Sequence, residues 1–283
     1  MKELTVKEMQ KCAFDILKQV SSICEENGFR YTLAYGTLIG AIRHQGFIPW
    51  DDDIDIMMPR PDYDRFIDYC KCHPQNLGDL QIFNIDTCKD YPYMITRVSD
   101  TKTFLEVDNE KTYGIGVFID IYVLDGAGKD MNEAMKKMDA TKVYPSLIFY
   151  STRKHYSAKN TEGFKKKLMK LPAFMLAKFI GKQRLISILL KKIDKTNYEK
   201  SSYVACLLWS TYKEKEILPK KMFEEYIDVT FENCSFKAIK DYDIYLRNYY
   251  GNYMELPPVE KRIAHHFFKA YKKSLVSNKN WTR

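Results

Sequence analysis

Four aspartates, Asp51, Asp52, Asp53 and Asp55, run straight into an apolar stretch, Ile54, Ile56, Met57 and Met58, closed by Pro59. Carboxylates this close repel one another. A chain that folds them against apolar structure must therefore offset their charge. The pattern Ile54 to Met58 predicts a strand, with Asp53 and Asp55 on it. Residues i and i+2 of a strand share a face, so these two carboxylates converge. Asp51 shares that side if the extended form continues back to it, and Asp52 points away. A divalent cation would relieve the repulsion. Magnesium prefers oxygen ligands and takes one or two carboxylates together with phosphates and water. The plainer alternative is a solvated acidic turn, and the apolar residues that follow count against it.

Asp120 lies inside the apolar run Val117-Phe-Ile-Asp-Ile-Tyr-Val-Leu124. A carboxylate in a buried strand is costly unless paired or bound to metal. A salt bridge to a core Arg is the structural alternative. Gly36-Thr37 falls between a predicted strand, Tyr31 to Tyr35, and a short helix carrying Leu38, Ile39, Ala41 and Ile42. Glycine lets backbone approach a phosphate, and a helix N-terminus offers free N–H groups. A turn capped by Thr explains the pair equally well.

Elsewhere the chain reads as mixed α and β. Met9, Ala13, Ile16, Leu17, Val20 and Ile23 predict a helix over Val6 to Asn27, stopped by Gly28. Pro61 to Cys72 reads as a helix. Gln81 to Ile85, Met94 to Ser99, Phe104 to Val107 and Val117 to Leu124 read as strands. Between Arg153 and Lys200 there are 14 Lys/Arg and 3 acids, so this segment carries +11 of a net +8 and the remainder sums to −3. Apolar residues recur there every three or four positions, predicting two or three basic amphipathic helices. These helices could lie on an anionic membrane, form an acceptor or oligomer surface, or pack on the core with Lys outward. Glu255 to Lys272 is expected to form a last helix, opened by Pro257-Pro258. The division expected is a core over 1–150, a basic helical insert over 151–200 and a C-terminal region over 201–283 that completes the core.

The net positive charge suggests an anionic partner: nucleotide, phosphorylated glycan, anionic lipid or nucleic acid. No recognised nucleic-acid module accompanies the charge, so nucleic acid is not expected. Seven Cys, an odd number, and a start without a basic, apolar leader fit a reducing cytoplasm. Cys70, Cys72 and His73 with Cys88 could hold zinc, although Cys-x-Cys is shorter than the common knuckle spacing.

The order Gly-Thr, then Asp-x-Asp on a strand, then Asp on a later strand resembles the nucleotidyltransferase superfamily with a DNA polymerase β-like core. The segment Ala34-Tyr-Gly-Thr-Leu-Ile-Gly-Ala-Ile-Arg-His-Gln-Gly-Phe-Ile-Pro-Trp-Asp-Asp-Asp-Ile-Asp-Ile56 resembles more narrowly the signature of the LicD family. These are phosphocholine-type transferases related to the fukutin group. Phe118 to Asp125 resembles the family's second motif. Phe231 to Asn233, Asp241 to Leu246, Tyr250 to Pro258 and Glu260 to Arg262 with His265 and His266 resemble its C-terminal region.

The resemblance implies an α+β fold: a nucleotidyltransferase (polymerase β-like) mixed sheet flanked by helices, here with the basic insert. It implies transfer of a phospho-alcohol group, phosphocholine first among them, from a CDP-linked donor such as CDP-choline to a hydroxyl of a glycan precursor. A lipid-linked acceptor and a peripheral position at the inner face of the plasma membrane would follow. By carry-over, Asp53, Asp55 and Asp120 are catalytic and Asp51, Asp53, Asp55 and Asp120 are metal ligands for magnesium or manganese. Asp120 is the third ligand or the base. Gly36, Thr37, Arg43, His44, Arg97, Lys261, Arg262 and His265 would bind the donor phosphates. Arg97 could instead pair with a core carboxylate. Trp50 would stack on the base or choline head, or anchor the loop. Tyr91, Tyr93, Tyr113 and Trp209 are lesser candidates for a cation box. The alternatives kept are a nucleotidyltransferase that adds NMP to a small molecule and a non-catalytic membrane adaptor that kept the fold.

Overall fold

The structure is a computed structural model, describing residues 2–156, 164–193, 198–210, 213–263 and 268–273. The chain begins with β1 (Lys2–Glu3) and α1 (Val6–Asn27). Thr5 caps α1 by accepting the Glu8 N–H, and the Glu8 carboxylate accepts from the Thr5 N–H, so two orphan donors are satisfied together. Gly28 ends the helix at φ +62°, a conformation that favours glycine. The buried stripe Ala13, Ile16, Leu17, Val20, Ile23 and Cys24 is the core face of α1.

Then follow β2 (Thr32–Leu33), α2 (Tyr35–His44), β3 (Asp55–Pro59) and α3 (Arg60–Cys72). Next come β4 (Leu80–Phe83), β5 (Thr96–Asp100), β6 (Thr103–Val107) and β7 (Phe118–Gly128). The main sheet runs β2-β3-β7-β5-β4, with β3 and β7 parallel and its other pairs antiparallel. β7 is central and nearly all buried, as a strand between two neighbours under helices should be. α1 packs on β5 and β7, and α3 on β3 and β7.

Two helices not anticipated, α4 (Met131–Thr141) and α5 (Tyr144–Thr152), lead to the basic segment. That segment forms α6 (Phe164–Ile180) and α7 (Lys182–Lys192). Leu185, Ile186 and Leu189 of α7 are buried, and α5 packs on both α6 and α7. β8 (Tyr203–Ala205) extends the sheet from the far end of β7 and pairs with β9 (Leu218–Pro219). The hairpin β10 (Tyr226–Phe231) and β11 (Cys234–Ile239) turns through Glu232 and Asn233, both at positive φ as a two-residue hairpin loop requires. It packs on α2 and β2, and α8 (Tyr242–Tyr250) also packs on α2.

The expected helix over Glu255 to Lys272 is corrected. Residues 255–258 are irregular, Val259–Lys261 make one tight turn, and β12 (Phe268–Lys272) is a strand. β12 joins β1 and β6 in a second sheet, where Ala270 opposite Leu105 is buried. Pairing with an open edge overrode the helical spacing. Among the described residues no helix is long and apolar enough to cross a membrane.

Candidate active site

The parallel register sets Asp55 of β3 beside Asp120 of β7, and the antiparallel register sets Arg97 of β5 beside Asp120. Partners in register project to one face, so a row of two carboxylates and a guanidinium crosses the sheet. Arg97 Nε donates to Asp120 Oδ1 at 2.8 Å, with side chains 15% and 12% exposed. Burial works against the Arg97 charge, but Asp120 outweighs it and holds the guanidinium well above its ordinary value. Arg97 is thus committed to Asp120, the structural alternative left open above. It lies between Tyr93 and Phe118, 4.2 and 3.9 Å from their ring centres. Tyr91, Tyr93, Tyr113 and Trp209 do cluster, with neighbouring rings 5.5–5.7 Å apart. The cation this aromatic group already holds is Arg97.

The strand begins at Asp55, so Asp53 is not on it. β2 gives partners to Ile56 and Met57, and β7 starts its pairing at Asp55, leaving Asp51 to Ile54 as a connecting loop. That loop is held from several sides. Gln10 of α1 donates to the Asp51 carbonyl at 2.6 Å. Thr37 accepts the Asp55 N–H at 2.8 Å. Upstream of the acid run, Glu232, in the hairpin turn, accepts the Phe47 N–H at 3.1 Å, while its own N–H goes to the Gln45 carbonyl. A Cβ on Gly36 would sit 2.7 Å from Asp51 Oδ2, so glycine there admits the carboxylate to the start of α2, where the helix dipole favours an anion. Gly36 and Thr37, expected to cradle phosphate, are in contact with the acid run itself. Asp52 is buried, whereas Asp51 and Asp53 are half-buried.

Two residues that sequence reasoning left out complete the floor. Burial, and then the charges of Asp55, Asp120 and Asp53, push the Tyr122 hydroxyl well above its ordinary value. Three carboxylates therefore act on one phenol. Tyr122 is two residues from Asp120 on β7, so strand parity could have placed it. Tyr35 opens α2 at φ +44°, a conformation costing about 1–3 kcal/mol outside glycine. Its buried ring packs at 4.8 Å on Tyr122 and 5.4 Å on Tyr249, which holds it there. No local signal marked it.

A cationic group borders the acid loop. Arg262 stands 5.5 Å over the ring of Trp50, next to Asp51. Burial, then Arg262, lowers the Arg43 guanidinium below its ordinary value. Arg43 donates to the carbonyls of Tyr253 and Glu255 and to Nε2 of His44, tying the C-terminal strap to α2. Burial and Arg43 hold the His44 imidazole below its usual 6.5, consistent with a neutral ring that accepts from Arg43. Lys261 is exposed on the adjacent turn, and His265 and His266 lie outside the described residues.

Among the described residues no three His, Cys, Asp or Glu side chains stand together as a ready-made metal group. Three carboxylates, Asp53, Asp55 and Asp120, nevertheless act on Tyr122, two of them paired in register, and oxygen ligands of this kind suit a hard divalent cation completed by phosphate. Cys70 is buried, Cys72 and His73 are exposed, and His73 stacks on Tyr69 at 4.5 Å.

A family model described as LicD/FKTN/FKRP, nucleotidyltransferase domain, matches residues 28–169, which include the acid loop, β3 and β7. The lipopolysaccharide cholinephosphotransferase LicD of Haemophilus influenzae is 34% identical over 96% of this chain and 99% of its own. The chain belongs to the LicD family. Uncharacterized proteins of Rickettsia typhi and Rickettsia prowazekii share shorter stretches, 40% identical over 53 residues and 44% over 43. LicD membership accounts for the mixed sheet with helices around it.

Proposed function

We propose that this LicD-family chain transfers phosphocholine from CDP-choline to a hydroxyl of a glycan precursor, with magnesium, or manganese, bound at Asp53, Asp55 and Asp120. The observation that carries the reading is the register pair of Asp55 and Asp120, set within a full-length likeness to a relative named as a cholinephosphotransferase. In the reaction the acceptor oxygen forms a bond to the phosphorus bearing choline. The bond from that phosphorus to the bridging oxygen breaks, CMP leaves, and the hydroxyl proton passes to a base. A bound divalent ion would neutralise charge on the phosphates, since phosphoryl transfer depends mostly on positioning and electrostatics. Arg97 orients Asp120 and balances its charge. Arg43, Lys261 and Arg262 offer the cationic rim for the diphosphate, with the neutral His44 ring beside Arg43. Asp51 supports the loop from the start of α2. The acceptor is lipid-linked in this reading, so the chain works at the cytoplasmic face of a membrane.

A thermal-shift screen of CDP-choline, CDP-ribitol, CDP-glycerol and CDP-ethanolamine, each with magnesium, tests the donor. A ligand at 100 times its dissociation constant stabilises the fold by about 2.7 kcal/mol. CDP-choline with magnesium should raise the melting temperature most. A larger shift with another CDP-alcohol would reassign the head group. Pyrophosphate release from an NTP, with no response to any CDP-alcohol, would replace the reading by NMP transfer.

A further inference from the structure

The outward face of α6 is apolar. Leu171, Met175 and Phe179 recur every four residues with Leu176 beside them, and they are 39%, 61%, 88% and, for Leu176, 51% exposed. Phe174 and Ala177 of the same helix are buried, so α6 packs on the fold by one side and presents a second apolar side to solvent. Scattered apolar side chains on a surface are ordinary, but a contiguous group on one helix marks a contact face. The charge along α6 and α7 is of one sign. From 164 to 192 there are 9 Lys/Arg (165, 166, 167, 170, 178, 182, 184, 191, 192) and no acid. Arg184, Lys191 and Lys192 are exposed on α7, whereas Lys178 and Lys182 donate to backbone carbonyls of Ser151, Arg153 and Lys89.

We propose that this face of α6 rests in the headgroup layer of an anionic lipid bilayer, with Leu171, Met175, Leu176 and Phe179 inserted and Arg184, Lys191 and Lys192 of α7 among the phosphates. The proposal deepens, and in purpose rests on, the reading of a lipid-linked acceptor. Charge complementarity selects the occupant. An apolar helix face bordered by cations and free of acids has the composition of an interfacial helix, and each Lys or Arg near an anionic surface adds attraction. A second copy of this chain would bring the same positive segment against itself.

Co-sedimentation with vesicles of phosphatidylcholine alone, or with phosphatidylglycerol added, tests it on the full chain. The protein should pellet with the anionic vesicles and lose binding as salt rises. Replacing Met175→Ser and Phe179→Ser together should lower the partition constant at least about tenfold. The melting temperature should not move, because both side chains face solvent. Met131→Ser, an exposed control on α4, should bind as the parent does. Equal binding by parent and double variant would overturn the proposal, as would no binding to anionic vesicles. A parent dimer in light scattering that the double variant dissociates would assign the face to self-association and also overturn it. CMP release on a water-soluble acceptor separates the two readings. Vesicle binding through α6 without CMP release would sink the transferase and keep the membrane face. CMP release without vesicle binding would do the reverse.

Discussion

Gly36 and the Asp51 carboxylate share a space in which only hydrogen fits on the glycine, with the added Cβ falling 2.7 Å from Oδ2. Gly36→Ala should therefore displace Asp51 while leaving the core intact. Helix propensity favours alanine there by up to about 1 kcal/mol, so stability should change little while turnover falls about tenfold or more. Steady-state kinetics beside a urea melt would show it, and unchanged turnover would mean that the placement of Asp51 is irrelevant. Arg97 makes the opposite kind of contribution. Arg97→Met strands Asp120, only 12% exposed, without its cation. Breaking such a pair from one side costs about 3 kcal/mol or more. Adding Asp120→Asn should recover part of that loss, and a double-mutant cycle in urea reads the coupling. Additive losses would show that the two side chains act independently.

The elements differ in how openly their residues announce them. The helix α1 is legible end to end because its stripe, its stop at Gly28 and its length are all local. Thr5→Ala should remove the capping box and destabilise the fold by about 1 kcal/mol in thermal unfolding. The same box predicts a pH dependence. Lys2 first, then the Thr5 N–H and hydroxyl, bring the Glu8 carboxyl down from 4.5 to about 2. The group takes up its proton more readily in the unfolded chain, so its contribution is intact above about 4.5 and is lost as pH falls towards 2. The stability difference between the parent and Thr5→Ala should narrow as pH falls across that window. The last stretch was not legible. Apolar spacing over 255–272 suits a helix, but β1 and β6 offer an edge that takes 268–272 as a strand, and Pro257-Pro258 holds the preceding chain irregular. Edge pairing depends on strands more than a hundred residues away in sequence, which local periodicity does not contain. The helices over 131–152 carried no expectation for want of a strong stripe.

Across the whole molecule, the acid run is positioned by residues from Gln10 to Arg262. α1 supplies a bond to Asp51, the C-terminal hairpin holds the chain just upstream through Glu232, and the strap over 253–262 ties to Arg43 and covers Trp50. A full-length likeness to a relative, rather than a match to the acid motif alone, is what such a site requires. Asp55 and the lone Asp120 were legible because each is a local pattern in an apolar strand, whereas Asp53 falls on the loop before β3. The partner of Arg97 was left open, since only the register of β5 on β7 decides between phosphate and Asp120. The central claim is that Asp55 and Asp120, side by side on β3 and β7, carry the transfer. The direct test is CMP release from CDP-choline with magnesium, measured for the parent, Asp55→Asn and Asp120→Asn, each checked for folding by thermal melt. The account predicts magnesium-dependent release in the parent and a fall of at least about a hundredfold in both variants, the scale of losing a group that acts on developing charge. Release at the parent's rate by either folded variant would contradict it.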